Sequence, residues 1–176
     1  QVRERLAKRD DIEIVSLPSE LRKDVAAKTE ALGKSDAVIL CLPDDAAKQT
    51  VALLDAAGNT KTVVIDASTA HRTDPDWDYG FPELNAAQKE KIVGSNRISN
   101  PGCYPTGFIA LTRPLVDAKL VRNDAMLAVS AVSGYSGGGK PLMEVYEGAE
   151  PNEPWGAYGF SLAHKHIPEM KEYSTL

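Results

Sequence analysis

The chain has 176 residues, 43% of them hydrophobic and 26% charged, with a formal net charge of −5. That length can bury a real core, and an acidic balance with no long basic run weighs against nucleic acid as a partner. No apolar stretch approaches a membrane span, no signal-like segment opens the chain, and two cysteines in unlike contexts do not suggest a disulfide framework, so a reducing, cytoplasmic setting is expected.

The first hundred residues alternate helix and strand. Residues 2–9 read as a helix with no initiator Met or strand before it, so the chain reads as an internal fragment. Residues 12–17, IEIVSL, read as a short β-branched strand, and residues 21–32 as a helix. DAVILCLP, residues 36–43, is a continuous apolar run ending in Pro43, the pattern of a strand buried on both faces; Cys41 within it has the setting of a buried structural cysteine. The next run, DDAAKQTVALLDAAG, reads as a helix with Asp44 and Asp45 as N-cap candidates and Gly58 as its stop. KTVVIDAS reads as another buried strand, and YGFPELN as a mostly packed connection. This order predicts an α/β fold, a doubly wound parallel sheet whose opening strand and glycine-rich turn are absent.

After Asn100 the pattern changes, and a boundary near residue 101 is expected, giving domains 1–101 and 102–176. A helix from about residue 104 to 118 leads to AMLAVSAVSGYSGGGK, which reads as a strand running into a Gly/Ser loop. A Pro- and acid-rich segment, EGAEPNEPWGAYGF, follows, and then LAHKHIPEM.

Cys103 stands out. In SNPGCYPTG it follows a turn signal and precedes an apolar helical run, so it falls at or near a helix N-terminus, a setting that favours a thiolate. Open α/β sheets bind ligands at the carboxyl ends of their strands. Two such ends are CLPDD, with Cys41, Leu42 and Pro43, and DASTAHR, with Ser68, Thr69, His71 and Arg72. Either alone is equally well read as capping and turn chemistry; together they favour a cofactor. Ser16, Ser19, Arg22 and Lys23 follow the first predicted strand, where an acid would hold the ribose of NAD and an Arg would accept the 2′-phosphate of NADP. Glu20 mixes that signal, and the balance leans to NADP. The loop VSGYSGGGK, with Ser133, Gly134, Ser136, Gly137 and Lys140, is either an oxyanion site or a flexible turn; it lacks the Walker spacing. His164 and His166 have no further ligands at metal spacing, so no metal site is expected. A nucleophilic cysteine needs a proton carrier, and either histidine serves, with Glu169 as the orienting group. Pro168 predicts that HKH is extended ahead of a helix.

Together SNPGCYPTG, DASTAHR, GFPEL, VSGYSGGGK and HKHIPEM resemble the N-acetyl-gamma-glutamyl-phosphate reductases, in the shorter variety marked by CLPDDAA and DPDWDYGFPEL. The resemblance spans nearly the whole chain. It implies a Rossmann-type NADP domain followed by part of an α+β catalytic domain, a homo-oligomer (dimer or tetramer), and a place in arginine biosynthesis. In the implied chemistry Cys103 attacks the acyl phosphate of N-acetyl-glutamyl phosphate, phosphate leaves, and NADPH reduces the thioester to a semialdehyde. The catalytic set is then Cys103, His164, His166 and Glu169. Ser16, Ser19, Arg22, Cys41, Leu42, Pro43, Ser68 and Gly137 fall toward NADP(H). Asn100, Ser133, Gly134, Ser136, Lys140 and Arg72 fall toward the small acyl-phosphate substrate. One alternative is an aspartate-semialdehyde dehydrogenase-like enzyme, whose cysteine loop differs from NPGCYP. Another is a nucleotide-sensing or protein-binding module without activity, against which an intact Cys103 with two histidines argues.

Overall fold

The computed structural model of the chain describes residues 2–148 and 154–176. Two compact units divide it, Gln1–Gly102 and Cys103–Leu176.

In the first unit the helix with the clearest apolar stripe organises the core. Along α3 (Asp44–Ala56) the buried residues are Ala47, Thr50, Val51 and Leu54, the spacing of one helical face. That face meets Leu32 of α2 (Val25–Gly33), Leu40, Val64 and Trp77. A fully buried leucine such as Leu54 contributes about 1.5–3 kcal/mol. The helix stops where Gly58 takes a φ of 62°, a value that suits glycine. There Gly58 N–H donates to the Asp55 carbonyl (3.0 Å) and Asn59 N–H to the Leu54 carbonyl (2.9 Å), the paired bonds of a Schellman motif.

Beneath these helices lie β1 (Ala37–Leu40), β2 (Val63–Asp66), β3 (Asp78–Tyr79) and β4 (Arg97–Ser99). They form one parallel sheet in the order β1-β2-β4-β3, with Ala37 opposite Val63, Val64 opposite Arg97, and Tyr79 opposite Ser99. Short helices α1 (Val2–Leu6) and α4 (Gln88–Gly94) complete the unit. A parallel sheet with helical crossovers is the α/β, Rossmann-type fold expected from the sequence.

Several local expectations fail here. Residues 12–17 form no strand; strand propensity needs a partner, and none of the described strands pairs with them. The predicted helix over 21–32 is a 3-10 turn at Ser19–Leu21 followed by α2, whose start is capped by Asp24 accepting from Ala27 N–H at 2.7 Å. Strand β1 is not buried on both faces. It is the edge of the described sheet, Ile39 is exposed, and Cys41 just beyond it is exposed rather than buried. The N-cap of α3 is Pro43, with Asp44 and Asp45 in the first turn.

The second unit contains α5 (Cys103–Asp117), a 3-10 turn at Tyr135–Gly138, α6 (Gly139–Glu147) and α7 (Ile167–Ser174). Helix α5 packs on α7, with Ile109 and Thr112 buried and Arg113 Nη1 donating to the Tyr173 carbonyl at 3.2 Å. The strand predicted within AMLAVSAVS is absent. Met126 is 98% exposed and Val132 99% exposed, and no strand among the described residues of this unit pairs with the segment. Residues 149–153 of the Pro- and acid-rich segment lie outside the described residues. Among the described residues no helix is long and apolar enough to cross a membrane.

Candidate active site

The carboxyl edge of the first unit's sheet is built around Asp66, the last residue of β2 and fully buried. Asp66 Oδ1 accepts from Ser68 N–H (2.9 Å), and Oδ2 accepts from Ser68 Oγ (2.7 Å) and faces His71 Nδ1 at 2.7 Å. His71 in turn stacks on Trp77, with ring centroids 4.1 Å apart and planes 11° from parallel. A buried carboxylate is tolerable only when its lone pairs are filled, as they are here. The network ties the loop after β2 to the core, through Trp77 in the apolar cluster.

The neighbouring loop is joined to it. Thr69 donates from both its N–H and its hydroxyl to the Asp44 carboxylate, so the two sequence motifs CLPDD and DASTAHR meet. On the other side, Asn100 N–H donates to the Asp66 carbonyl at 2.7 Å, continuing the sheet past β4. Gly80 is required nearby. A Cβ there would lie 2.9 Å from the Ser99 carbonyl oxygen and 3.1 Å from Ile98 Cγ2.

The residues assigned from sequence to cofactor and substrate fall unevenly in this unit. Cys41, Leu42 and Pro43 form an exposed edge ahead of α3, whose first turn has no side-chain cap. The carboxylates of Asp44 and Asp45 in the same turn do not fit a phosphate. The Ser68 hydroxyl is committed within the loop, donating to Asp66 and accepting from Ala70 N–H (3.1 Å). Ser16 accepts from Arg3 Nη2 (2.7 Å), Ser19 lies in the 3-10 turn, and Arg22 caps it, exposed. Arg72 is buried, and its Nη2 donates to the Ala67 carbonyl (3.1 Å). Asn100 is exposed, its Nδ2 donating to the Pro101 carbonyl (3.1 Å).

In the second unit Cys103 is the first residue of α5 and is exposed. His166 is the N-cap of α7, in the helical region of φ/ψ, so HKH is a turn and not an extended segment. Ile167 N–H closes that turn on the His164 carbonyl (3.0 Å), and Pro168 sits within the first turn of α7. The turn brings the two imidazoles edge to face, with centroids 4.7 Å apart. His164 Nδ1 accepts from His166 N–H at 3.3 Å. A ring nitrogen that accepts carries the lone pair, so neutral His164 holds its proton on Nε2 and presents a donor. His166 and Glu169 are both buried at the start of α7.

Two residues in this cluster carry no sequence signal of their own. Tyr158 Oη lies 2.8 Å from Tyr104 Oη, donating to it. The Tyr158 phenol is pushed up to about 12, first by its bond to Tyr104, then by burial and by the charges of Tyr104 and Cys103. The Gly/Ser segment is distributed along α6 and the turn before it: Ser133 and Gly134 precede the turn, Ser136 and Gly137 lie in it, and Lys140 is the second residue of α6, all exposed.

Comparison with known proteins adds the family. The family described as semialdehyde dehydrogenase, NAD binding domain, matches residues 5–92. The one described as semialdehyde dehydrogenase, dimerisation domain, matches residues 103–176. The first supports a nicotinamide cofactor and the second points to oligomerisation. Curated relatives named N-acetyl-gamma-glutamyl-phosphate reductase include those of Chelativorans sp. (49% identical over 177 residues), Burkholderia ambifaria (47% over 178) and Brucella ovis (48% over 180). Each match covers all of this chain but only 56–57% of the relative, so the chain spans a little over half the length of these proteins. No solved structure matches it.

Proposed function

Starting from the fact that the chain belongs to the semialdehyde dehydrogenase family, we propose that it serves the NADPH-dependent reduction of N-acetyl-L-glutamyl 5-phosphate to N-acetyl-L-glutamate 5-semialdehyde in arginine biosynthesis. The observation that supports the reading is that α5, which opens at Cys103, packs on α7, which has His166 as its N-cap and Glu169 in its first turn, with the Tyr104 and His166 rings 6.3 Å apart. The relatives' printed name supplies the substrate class.

Cys103 Sγ bonds to the acyl carbon as the carbon–oxygen bond to phosphate breaks, and His166 takes the thiol proton and returns it to the departing phosphate. The α5 N-terminus, the positive end of the helix dipole, faces the charge that develops on the acyl oxygen. His164, with Nδ1 already accepting, presents Nε2–H as a donor rather than as a base. The nicotinamide cofactor, when bound, supplies hydride to the thioester carbon. Breaking of the carbon–sulfur bond would then release the aldehyde, with one proton taken up from water to restore the Cys103 thiol. Glu169 orients His166. Cys41, Leu42 and Pro43 would line the cofactor's neutral portion, and Arg22 with Ser19 favours NADP by its charge. Lys140 and the serines before it would hold the substrate's anionic groups. The active enzyme is a soluble, cytoplasmic homo-oligomer.

The test is NADPH oxidation by the full-length protein with N-acetyl-glutamyl phosphate, against aspartyl phosphate as competitor. Cys103→Ser should abolish turnover, because a serine hydroxyl is scarcely ionised at neutral pH, while Cys41→Ser should keep the chemistry and at most weaken stability or cofactor fit. Full activity in Cys103→Ser, or preference for aspartyl phosphate, overturns the proposal. His166→Asn should cost about 10²–10⁴ in turnover.

A further inference from the structure

Four aromatic side chains of the second unit form a closed circuit. The Tyr158 and Tyr104 hydroxyls lie 2.8 Å apart. The Tyr158 and His164 rings lie 6.2 Å apart at 59°, His164 and His166 4.7 Å apart at 72°, and Tyr104 and His166 6.3 Å apart at 54°. All are tilted or edge-on contacts of the kind aromatic rings prefer. Tyr104 follows Cys103 on α5, and His166 caps α7, so the circuit spans the mouths of both helices.

One link differs from the others. Tyr158 belongs to a segment without helix or strand and is 59% exposed. Its ring is not held by a regular element, so the hydroxyl bond to Tyr104 is what fixes it against His164. An imidazole is useful as an acid or base only when its neighbours lock its orientation. We propose that the Tyr104–Tyr158 hydroxyl bond is a clasp that positions His164 and His166 beside Cys103; both tyrosines are positioning residues, a role that rests on the cysteine–histidine reading above. The clasp also has the right protonation behaviour. With Tyr158 pushed up to about 12, its O–H stays in place throughout the range in which a histidine or a thiol titrates. The other titratable groups at the openings of the packed elements are Cys103 on α5, and Lys165 and Glu169 around the start of α7; further along lie Arg113 and Asp117 on α5 and Lys171, Glu172 and Tyr173 on α7.

Tyr158→Phe and Tyr104→Phe keep each ring and remove one partner of the bond. In the full-length protein each should lower kcat by about tenfold to a hundredfold, the cost of misplaced catalytic groups. KM for the acyl phosphate and the cofactor should change by less than about twofold if these residues only position. The double variant should be no worse than either single, because both remove the same bond. The histidine limb of the pH–rate profile should shift in both. A second measurement does not depend on turnover: the pH dependence of Cys103 alkylation by iodoacetamide, with Cys41 as internal reference and the melting temperature checking the fold. A profile displaced alike in both Phe variants supports the clasp. An unchanged alkylation profile in Tyr158→Phe, or additive losses in the double variant, overturns it. If the wild-type protein fails to reduce the acyl phosphate, the functional reading falls, and the alkylation profile alone still decides the clasp.

Discussion

His71→Phe probes the bond that anchors the sheet's carboxyl edge. The Asp66 carboxylate is fully buried and draws on Ser68 N–H, Ser68 Oγ and His71 Nδ1, at 2.9, 2.7 and 2.7 Å. Phenylalanine keeps a ring to stack on Trp77 but leaves one carboxylate lone pair without its donor, in a place water does not reach. Hydrogen bonds to charged groups are worth about 1.5–3 kcal/mol, so His71→Phe should destabilise the fold by roughly that amount. His71→Ala also forfeits the stack, worth about 0.5–1.5 kcal/mol, and leaves a cavity, and its total should reach about 3–5 kcal/mol. Urea unfolding followed by tryptophan fluorescence is well suited to the measurement. Trp77 is 8% exposed and in contact with the substituted ring, while Trp155, at 73% exposed, changes little on unfolding. The midpoint should fall with the denaturant slope unchanged. A His71→Phe protein within about 0.5 kcal/mol of wild type, a typical surface substitution, would refute the view that this pair holds the loop.

Gly80→Ala should destabilise by about 1–3 kcal/mol, the usual cost of overpacking, because the new Cβ meets the backbone oxygen of Ser99 at 2.9 Å and pushes apart the 2.8 Å Gly80 N–H to Ser99 bond; an unchanged urea midpoint would contradict this. Tyr158 should make stability fall as pH rises from about 10 to about 12, since the folded state holds its proton more tightly than the unfolded chain does. The contribution is complete below pH 10, and Tyr158→Phe should flatten that part of the curve; an identical curve in the variant would count against the bond to Tyr104. Lys140→Ala should raise KM for the acyl phosphate by about tenfold or more, the loss of one charge-assisted hydrogen bond, and that for the cofactor much less; equal or absent effects would leave the Gly/Ser loop a structural turn.

Local signals were legible wherever the physics was local. The apolar stripe of α3, its glycine stop at Gly58 and the helix opening at Cys103 can all be read along the sequence, because helices are built from contacts three and four residues apart. Strands were not. IEIVSL and AMLAVSAVS have the composition of β1 and β2, yet neither finds a partner among the described strands, and pairing is a property of the whole sheet. The continuous run at β1 suggested two covered faces, but Ile39 is exposed at the edge. In the candidate site the cysteine and both histidines stood out by residue type and setting. The turn that brings the imidazoles edge to face did not, because Pro168 lies within α7 rather than marking an extended residue before it. The bond from Tyr158 to Tyr104 joins residues 54 positions apart, and no periodicity announces it. The Asp66–His71 pair crosses a turn, and composition cannot tell it from ordinary capping.

The strand order carries a consequence for how the molecule forms in time. β2 and β4 are the interior strands, yet β2 meets β1 only across the whole of α3, and β4 only across the loop that holds His71 and the short helix α4. No rung of this sheet joins residues close in sequence, so its closure is a late, loop-entropy-limited event, whereas α3 and α5 can begin from local bonds alone. During synthesis, arrival of Val63–Asp66 gives β1 its partner within the described sheet, and arrival of Arg97–Ser99 brings in the last rungs, from which the peptide leads directly through Asn100 to Cys103. The helix that opens at Cys103 thus emerges only after every strand of the described sheet has been made, and amide exchange should find β2, bonded along both edges, among the last segments to open.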